Sequence, residues 1–109
     1  MRESTVETYL REQVELYGGI CEKHVSPGRR GVRDRVCLWP HGFTDWVETK
    51  RPGEKPEPHQ ERDHARLRRL GHRVFVIDTK AGVDVYVKMA RQRIPEDALW
   101  DPVKGAHLE

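Results

Sequence analysis

Apolar positions follow three rhythms along the chain, and each predicts a different element. From Thr5 to Tyr17, Val6, Leu10, Val14 and Tyr17 fall at helical spacing and form one apolar stripe. Ser4-Thr5-Val6-Glu7 matches a capping box, in which serine and glutamate satisfy each other's orphan backbone donors. Gly18-Gly19 supplies the stop. A short strand over Ile20–His24 follows, then the turn-forming, positively charged stretch Ser26-Pro27-Gly28-Arg29-Arg30-Gly31. Arg35–Leu38 and Asp45–Lys50 read as the strands of a hairpin closed by Pro40-His41-Gly42. Pro52, Pro56 and Pro58 then remove backbone donors and fix φ, which makes the intervening segment an exposed, stiff loop.

A second helix is predicted from Pro58 or His59 to just before Gly71, with Ala65, Leu67 and Leu70 as its few apolar positions. Val74-Phe75-Val76-Ile77-Asp78 is a nearly continuous apolar run, the mark of a strand buried on both faces. A strand that follows a crossover helix calls for a parallel neighbour. In the segment 81–92, Val83, Val85, Val87 and Met89 alternate as in a strand, yet its place after the buried strand favours a packing helix, and a helix is predicted. From Pro95 onward the chain reads as an arm or tail, with Leu99 and Trp100 available to pack on a neighbouring surface. The expected class is α/β, a small mixed β-sheet flanked by helices.

Composition narrows this picture. A chain of 109 residues is one domain (1–109, core about 3–90, arm 95–109), able to fold alone with little margin. With 36% hydrophobic and 35% charged residues, the core is small within a large solvated surface that a partner chain could complete. A net charge of +2 is too small for a coat of non-specific nucleic-acid binding, so the distribution matters more than the sum. Arg29, Arg30, Arg33 and Arg35 surround Asp34, and Arg62, Arg66, Arg68 and Arg69 crowd the second helix, by default a solvated face. Cys21 and Cys37 form no CxxC pair and define no disulfide framework; they read as buried thiols in a reducing compartment. No apolar run is long enough for a membrane and the N-terminus lacks a secretory core, so a cytoplasmic protein, of cell or phage, is expected. The histidines lack paired zinc spacing; His59 and His64 are expected on the surface, as candidate phosphate contacts.

The candidate chemistry lies on the hairpin. Residues two apart on a strand share a face, so Glu48 and Lys50 project together, about 6–7 Å apart at roughly 3.3 Å per residue. Asp34, at the start of the preceding strand, would add a second carboxylate. Two carboxylates and an ammonium at the end of a sheet are the parts needed to hold a hard divalent cation and steer water onto a phosphate. A solvated edge strand of alternating charge is the plainer reading, but Trp46 continues the same row and points to a cleft. Asp34 could otherwise pair with Arg33 or Arg35, worth only about 0–1 kcal/mol at a surface. Glu7 is accounted for by its cap, and Gln60 by a polar first turn.

In order, these residues resemble the VRR-NUC (virus-type replication-repair nuclease) family of the PD-(D/E)XK nuclease superfamily, over roughly Glu3 to Val87. The loop ending Gly31-Val32-Arg33-Asp34 is similar to the family's Gly-x-Pro-Asp, Glu48-Thr49-Lys50 to Glu-x-Lys, Gln60 to the glutamine that opens the next helix, and Glu7 to a glutamate of the first helix. Arg33 stands where the pattern has proline, so the loop loses a fixed φ. The resemblance implies a restriction-endonuclease-like core. It implies Mg²⁺ or Mn²⁺ bound by Asp34, Glu48 and the Thr49 carbonyl, with Glu7 as an additional ligand. Lys50 would polarise the attacking water, and Gln60 would orient Lys50 or the water.

The expected activity is therefore a metal-dependent endonuclease on DNA, with Arg29, Arg30, Arg33 and Arg35 on the phosphates. Stand-alone members of the resembled family look like homodimers that cut branched DNA such as four-way (Holliday) junctions, and a chain this small is similar to them. Two alternatives come from other classes. One is a nucleic-acid-binding module with a vestigial metal site; the other is a small interaction protein whose charges only solubilise it.

Overall fold

The computed structural model describes residues 4–24, 34–102 and 106–107; for residues 34, 100, 101, 106 and 107 it describes the backbone alone. Helix α1 (Thr5–Leu16) starts where Ser4 Oγ accepts the Glu7 N–H at 3.0 Å. Only half of the capping box forms, because the Glu7 carboxylate turns inward to Arg35. At the other end Gly18 takes φ +85°, a conformation a side chain would strain. Gly19 N–H then closes on Val14 C=O at 2.9 Å. A Cβ on Gly19 would lie 2.7 Å from Val14 Cγ1, so the pair of glycines lets the chain turn back tightly under the sheet.

Strands β1 (Ile20–His24), β2 (Asp34–Leu38), β3 (Thr44–Thr49) and β4 (Arg73–Ile77) form one sheet in that order. The first two pairings are antiparallel and β3–β4 is parallel, as a crossover through α2 (Pro58–Arg69) requires. The hairpin turn is a 3₁₀ turn over Pro40–Gly42. Beyond β4 the chain forms α3 (Lys80–Gln92), so the helical alternative holds for that segment. Val83, Tyr86, Val87 and Ala90 face inward at helical spacing, while Val85 and Met89 of the strand-like alternation face solvent. The tail makes a 3₁₀ turn over Glu96–Ala98 and a two-stranded ribbon, β5 (Trp100–Asp101) with β6 (Ala106–His107). Leu99 packs against the protein's own core.

The sheet has two unlike faces. Arg35 and Cys37 of β2, Val47 of β3 and Ile77 of β4 are buried toward α1 and α3, where Val6, Leu10, Val14, Val83, Tyr86 and Val87 complete the core. The opposite face carries Val36, Trp46, Glu48 and Val76 and receives α2. Two expectations fail there. β4 is buried on both faces only in part: Val74 and Ile77 are buried on opposite sides, but Val76, on the side of Val74, is 38% exposed on this edge strand of the sheet. Nor does α2 dock mainly through its apolar residues: Ala65 and Leu70 are exposed and Leu67 is only half-buried, while its buried residues are Gln60 and His64.

At the far end of β3 a polar network ties the layers together. Asp45, fully buried, accepts from Tyr86 Oη at 2.7 Å and from two Arg93 nitrogens at 2.9 and 2.6 Å. Tyr86 Oη in turn accepts from Trp39 Nε1 at 2.9 Å. Burial first, then the neighbouring Cys37 and Asp45, pushes the Tyr86 phenol well above its usual range, so it stays an O–H donor.

Candidate active site

β3 carries two buried carboxylates in unlike surroundings. Asp45 is closed off by a bidentate arginine and a tyrosine, a structural arrangement. Glu48, 1% exposed, faces the other way, toward α2. Its Oε1 lies 3.5 Å from Lys50 Nζ and its Oε2 lies 3.2 Å from His64 Nε2. Lys50 is held in turn: its ammonium donates to Gln60 Oε1 at 2.9 Å and sits 3.8 Å from Glu54 Oε1. The same Gln60 oxygen accepts the Glu57 N–H at 2.8 Å, completing the capping box that starts α2. One side chain thus fixes both the helix N-terminus and the lysine. The backbone of Lys50 is fixed as well, its N–H bonded to Ile77 C=O at 2.8 Å.

In the β2–β3 ladder Asp34 stands directly opposite Glu48. Opposed positions of an antiparallel pair belong to one face, with Cβ atoms about 4.5–5.5 Å apart. The register therefore brings together the two carboxylate positions and, two residues on, Lys50. The same cross-strand row adds His24, opposite Asp34 on β1, whose ring meets Trp46 edge-on at 4.9 Å between centroids. Thr49 occupies the rung between Glu48 and Lys50, opposite Ile77.

The other expected residues fall elsewhere. Arg35 follows Asp34, and alternation turns it to the opposite face. There it is 5% exposed, donating through Nε to Glu7 Oε2 at 2.9 Å and through Nη1 to the Cys21 carbonyl at 3.0 Å. It is a core ion pair rather than an exposed phosphate contact. Glu7, its partner, lies on that same side of the sheet, away from Glu48, with its carboxylate committed to Arg35. Arg29, Arg30 and Arg33 lie outside the described residues. His64, expected on the surface, is 2% exposed and is the site residue that sequence reasoning missed. The available signal was its place four residues after Gln60, on the same helix face.

Among the described residues no three His, Cys, Asp or Glu side chains converge into a closed metal cluster. A hard cation such as Mg²⁺ is commonly held by one or two carboxylates, retains several waters and completes its shell with substrate phosphate. The oxygen donors available from Glu48, and the register position of Asp34, fit such an ion.

No protein-family profile matches the chain. It is 52% identical over 80 residues to "Putative nuclease p44" of Acyrthosiphon pisum secondary endosymbiont phage 1, which covers 73% of this chain and 86% of that protein. A solved structure described as a VRR_NUC domain superposes with a TM-score of 0.71 at 37% identity, covering 76% of this chain and 90% of the other. The chain belongs to the VRR-NUC family. Its mixed four-stranded sheet with three helices is that of the VRR-NUC neighbour, and the family makes it a nuclease by fold and by likeness to a phage relative. Among the described residues no helix is long and apolar enough to cross a membrane.

Proposed function

We propose that this VRR-NUC protein is a metal-dependent endonuclease that hydrolyses DNA phosphodiesters, with branched DNA such as four-way junctions as its substrate and a homodimer as its working form. The observation that carries the reading is the register of Asp34 against Glu48, with Lys50 held on the same face by Gln60. Asp34 and Glu48, together with the Thr49 carbonyl, would hold Mg²⁺ or Mn²⁺. When bound, such an ion supplies a water of lowered pKa and neutralises charge on the phosphoryl oxygens.

The chain's own residues do the rest. Lys50, with its amine fixed between Gln60 and Glu48, presents a positive charge where negative charge develops on the phosphate. Its side chain is only 12% exposed, and an ammonium in such a water-poor cleft acts more strongly than one in bulk solvent. Gln60 keeps that amine from wandering. Arg29 and Arg30, close in sequence to Asp34, would grip the backbone. Such contacts position DNA without reading bases, in keeping with recognition of shape. A two-fold dimer would present two sites to two strands, the geometry that paired incisions across a junction need.

The test is a labelled four-way junction incubated with Mg²⁺, Mn²⁺ or EDTA. Cleavage in the first two alone is expected, with Asp34→Asn, Glu48→Gln and Lys50→Ala each losing at least about 10²–10³ in rate while still shifting the junction on a gel. Binding without cleavage in all three conditions would instead identify a nucleic-acid-binding module.

A further inference from the structure

Helix α2 meets the sheet through polar side chains, and their spacing matches the site beneath them. Gln60 and His64 are one helical turn apart, about 6 Å along the axis at about 1.5 Å per residue. Glu48 and Lys50 are two apart on a strand, about 6.6 Å at roughly 3.3 Å per residue. Because the earlier helix residue meets the later strand residue, helix and strand run in opposite senses and the two pairs interlock: Gln60 on Lys50, His64 on Glu48. The helix surrenders apolar burial to achieve this, leaving Ala65 and Leu70 in solvent. A leucine at position 64 would serve packing better than a polar ring, whose burial is costly unless it makes a hydrogen bond.

We infer that His64 is a positioning residue for the Glu48 carboxylate. Its Nε2 lies 3.2 Å from Oε2, an ion-pair contact that holds the carboxylate against rotation, so Oε1 stays on the Lys50 side. Loss of a group that orients a metal-binding carboxylate typically costs about 10- to 100-fold in metal affinity. The inference rests on Glu48 being a metal ligand, as proposed above, and extends it to a residue that never touches the ion.

The experiment is isothermal titration of the full chain with Mn²⁺, without DNA, on the parent, His64→Leu and His64→Gln. His64→Leu keeps the volume and removes the ring nitrogen that faces Oε2; His64→Gln restores a polar nitrogen near the place of Nε2. The expected result is a 10- to 100-fold loss of Mn²⁺ affinity in His64→Leu, an undiminished melting temperature, and recovery of most of that loss in His64→Gln. Parent-like Mn²⁺ affinity in His64→Leu overturns the positioning role and leaves the metal reading standing. A parent that binds no Mn²⁺ overturns both. Should His64→Leu fail to fold, His64→Asn against His64→Gln decides, since the shorter amide cannot reach Oε2: equal affinities overturn the role, and weaker binding by the asparagine supports it.

Discussion

Arg35 and Glu7 show how one residue's place in the strand period decides its chemistry. Arg35 sits in an arginine-rich stretch, beside Asp34, yet alternation turns its guanidinium into the core, against Glu7 of α1. Removing one partner of a buried pair strands the other charge, so Glu7→Ala should lower the unfolding free energy by about 3–5 kcal/mol. Urea denaturation measures this, and Mn²⁺ affinity should stay within about twofold of the parent, by the arithmetic that twofold is about 0.4 kcal/mol. A stable Glu7→Ala protein that had lost its Mn²⁺ site would return Glu7 to the ligand set. Tyr86 offers a second residue-scale test. Its phenol is raised by burial above its ordinary value of 10.0, so the stability it contributes is present below about pH 10 and is lost at higher pH, where the unfolded chain can ionise first. Tyr86→Phe should flatten that alkaline loss and, at neutral pH, cost about 1–3 kcal/mol by stranding the Trp39 N–H; thermal melts from pH 7 to 11 follow both.

At the scale of elements, α2 is the unusual piece. An ordinary amphipathic helix docks by an apolar stripe, but this one docks by Gln60 and His64, and Arg68 adds a bond from Nη2 to the Val74 carbonyl at 2.8 Å. Gln60 is shared between the helix start and the lysine, so its loss should be felt twice. Gln60→Ala is expected to cost about 0.5–2 kcal/mol of stability through the cap and, separately, to lower the cleavage rate. A double-mutant cycle with Lys50→Ala separates the two effects: the cap should add independently, whereas the effect on rate should vanish once the lysine is gone. Additive effects on rate would mean that Gln60 does not act through Lys50. The apolar spacing along the chain foretold α1, which buries its stripe; α3 was foretold by its place after β4, against a strand-like alternation of its valines. That spacing could not foretell how α2 sits, because of its three apolar positions Leu67 alone is half-buried, on the face of Gln60 and His64, while Ala65 and Leu70 are exposed.

For the whole molecule, a junction-cutting dimer makes two demands. Light scattering at assay concentrations should give twice the chain mass of 12.8 kDa, and junctions should be cut in preference to linear duplex. A monomer that nicks both equally would contradict it. Replacing Arg29 and Arg30 together by alanine should weaken junction binding and lower the slope of log affinity against log salt by roughly 0.9 for each phosphate that is no longer neutralised. What the sequence settled alone was whatever depends on near neighbours: the Ser4 cap on the Glu7 N–H, the Gly18 turn, the strand spans, the parallel return through a crossover, and the shared face of Glu48 and Lys50. These are consequences of backbone period and local sterics, which a string of residues carries in itself. The tertiary structure decided which carboxylates meet cations. Asp45 and Glu48 lie three apart on one strand, and nothing in their immediate sequence marks one for Arg93 and Tyr86 and the other for His64. It also decided that Arg35 belongs to the core and that His64 reaches the site. Those outcomes depend on where a helix distant in sequence comes to rest, and the sum of burial over the whole chain fixes that position, with no local preference to announce it.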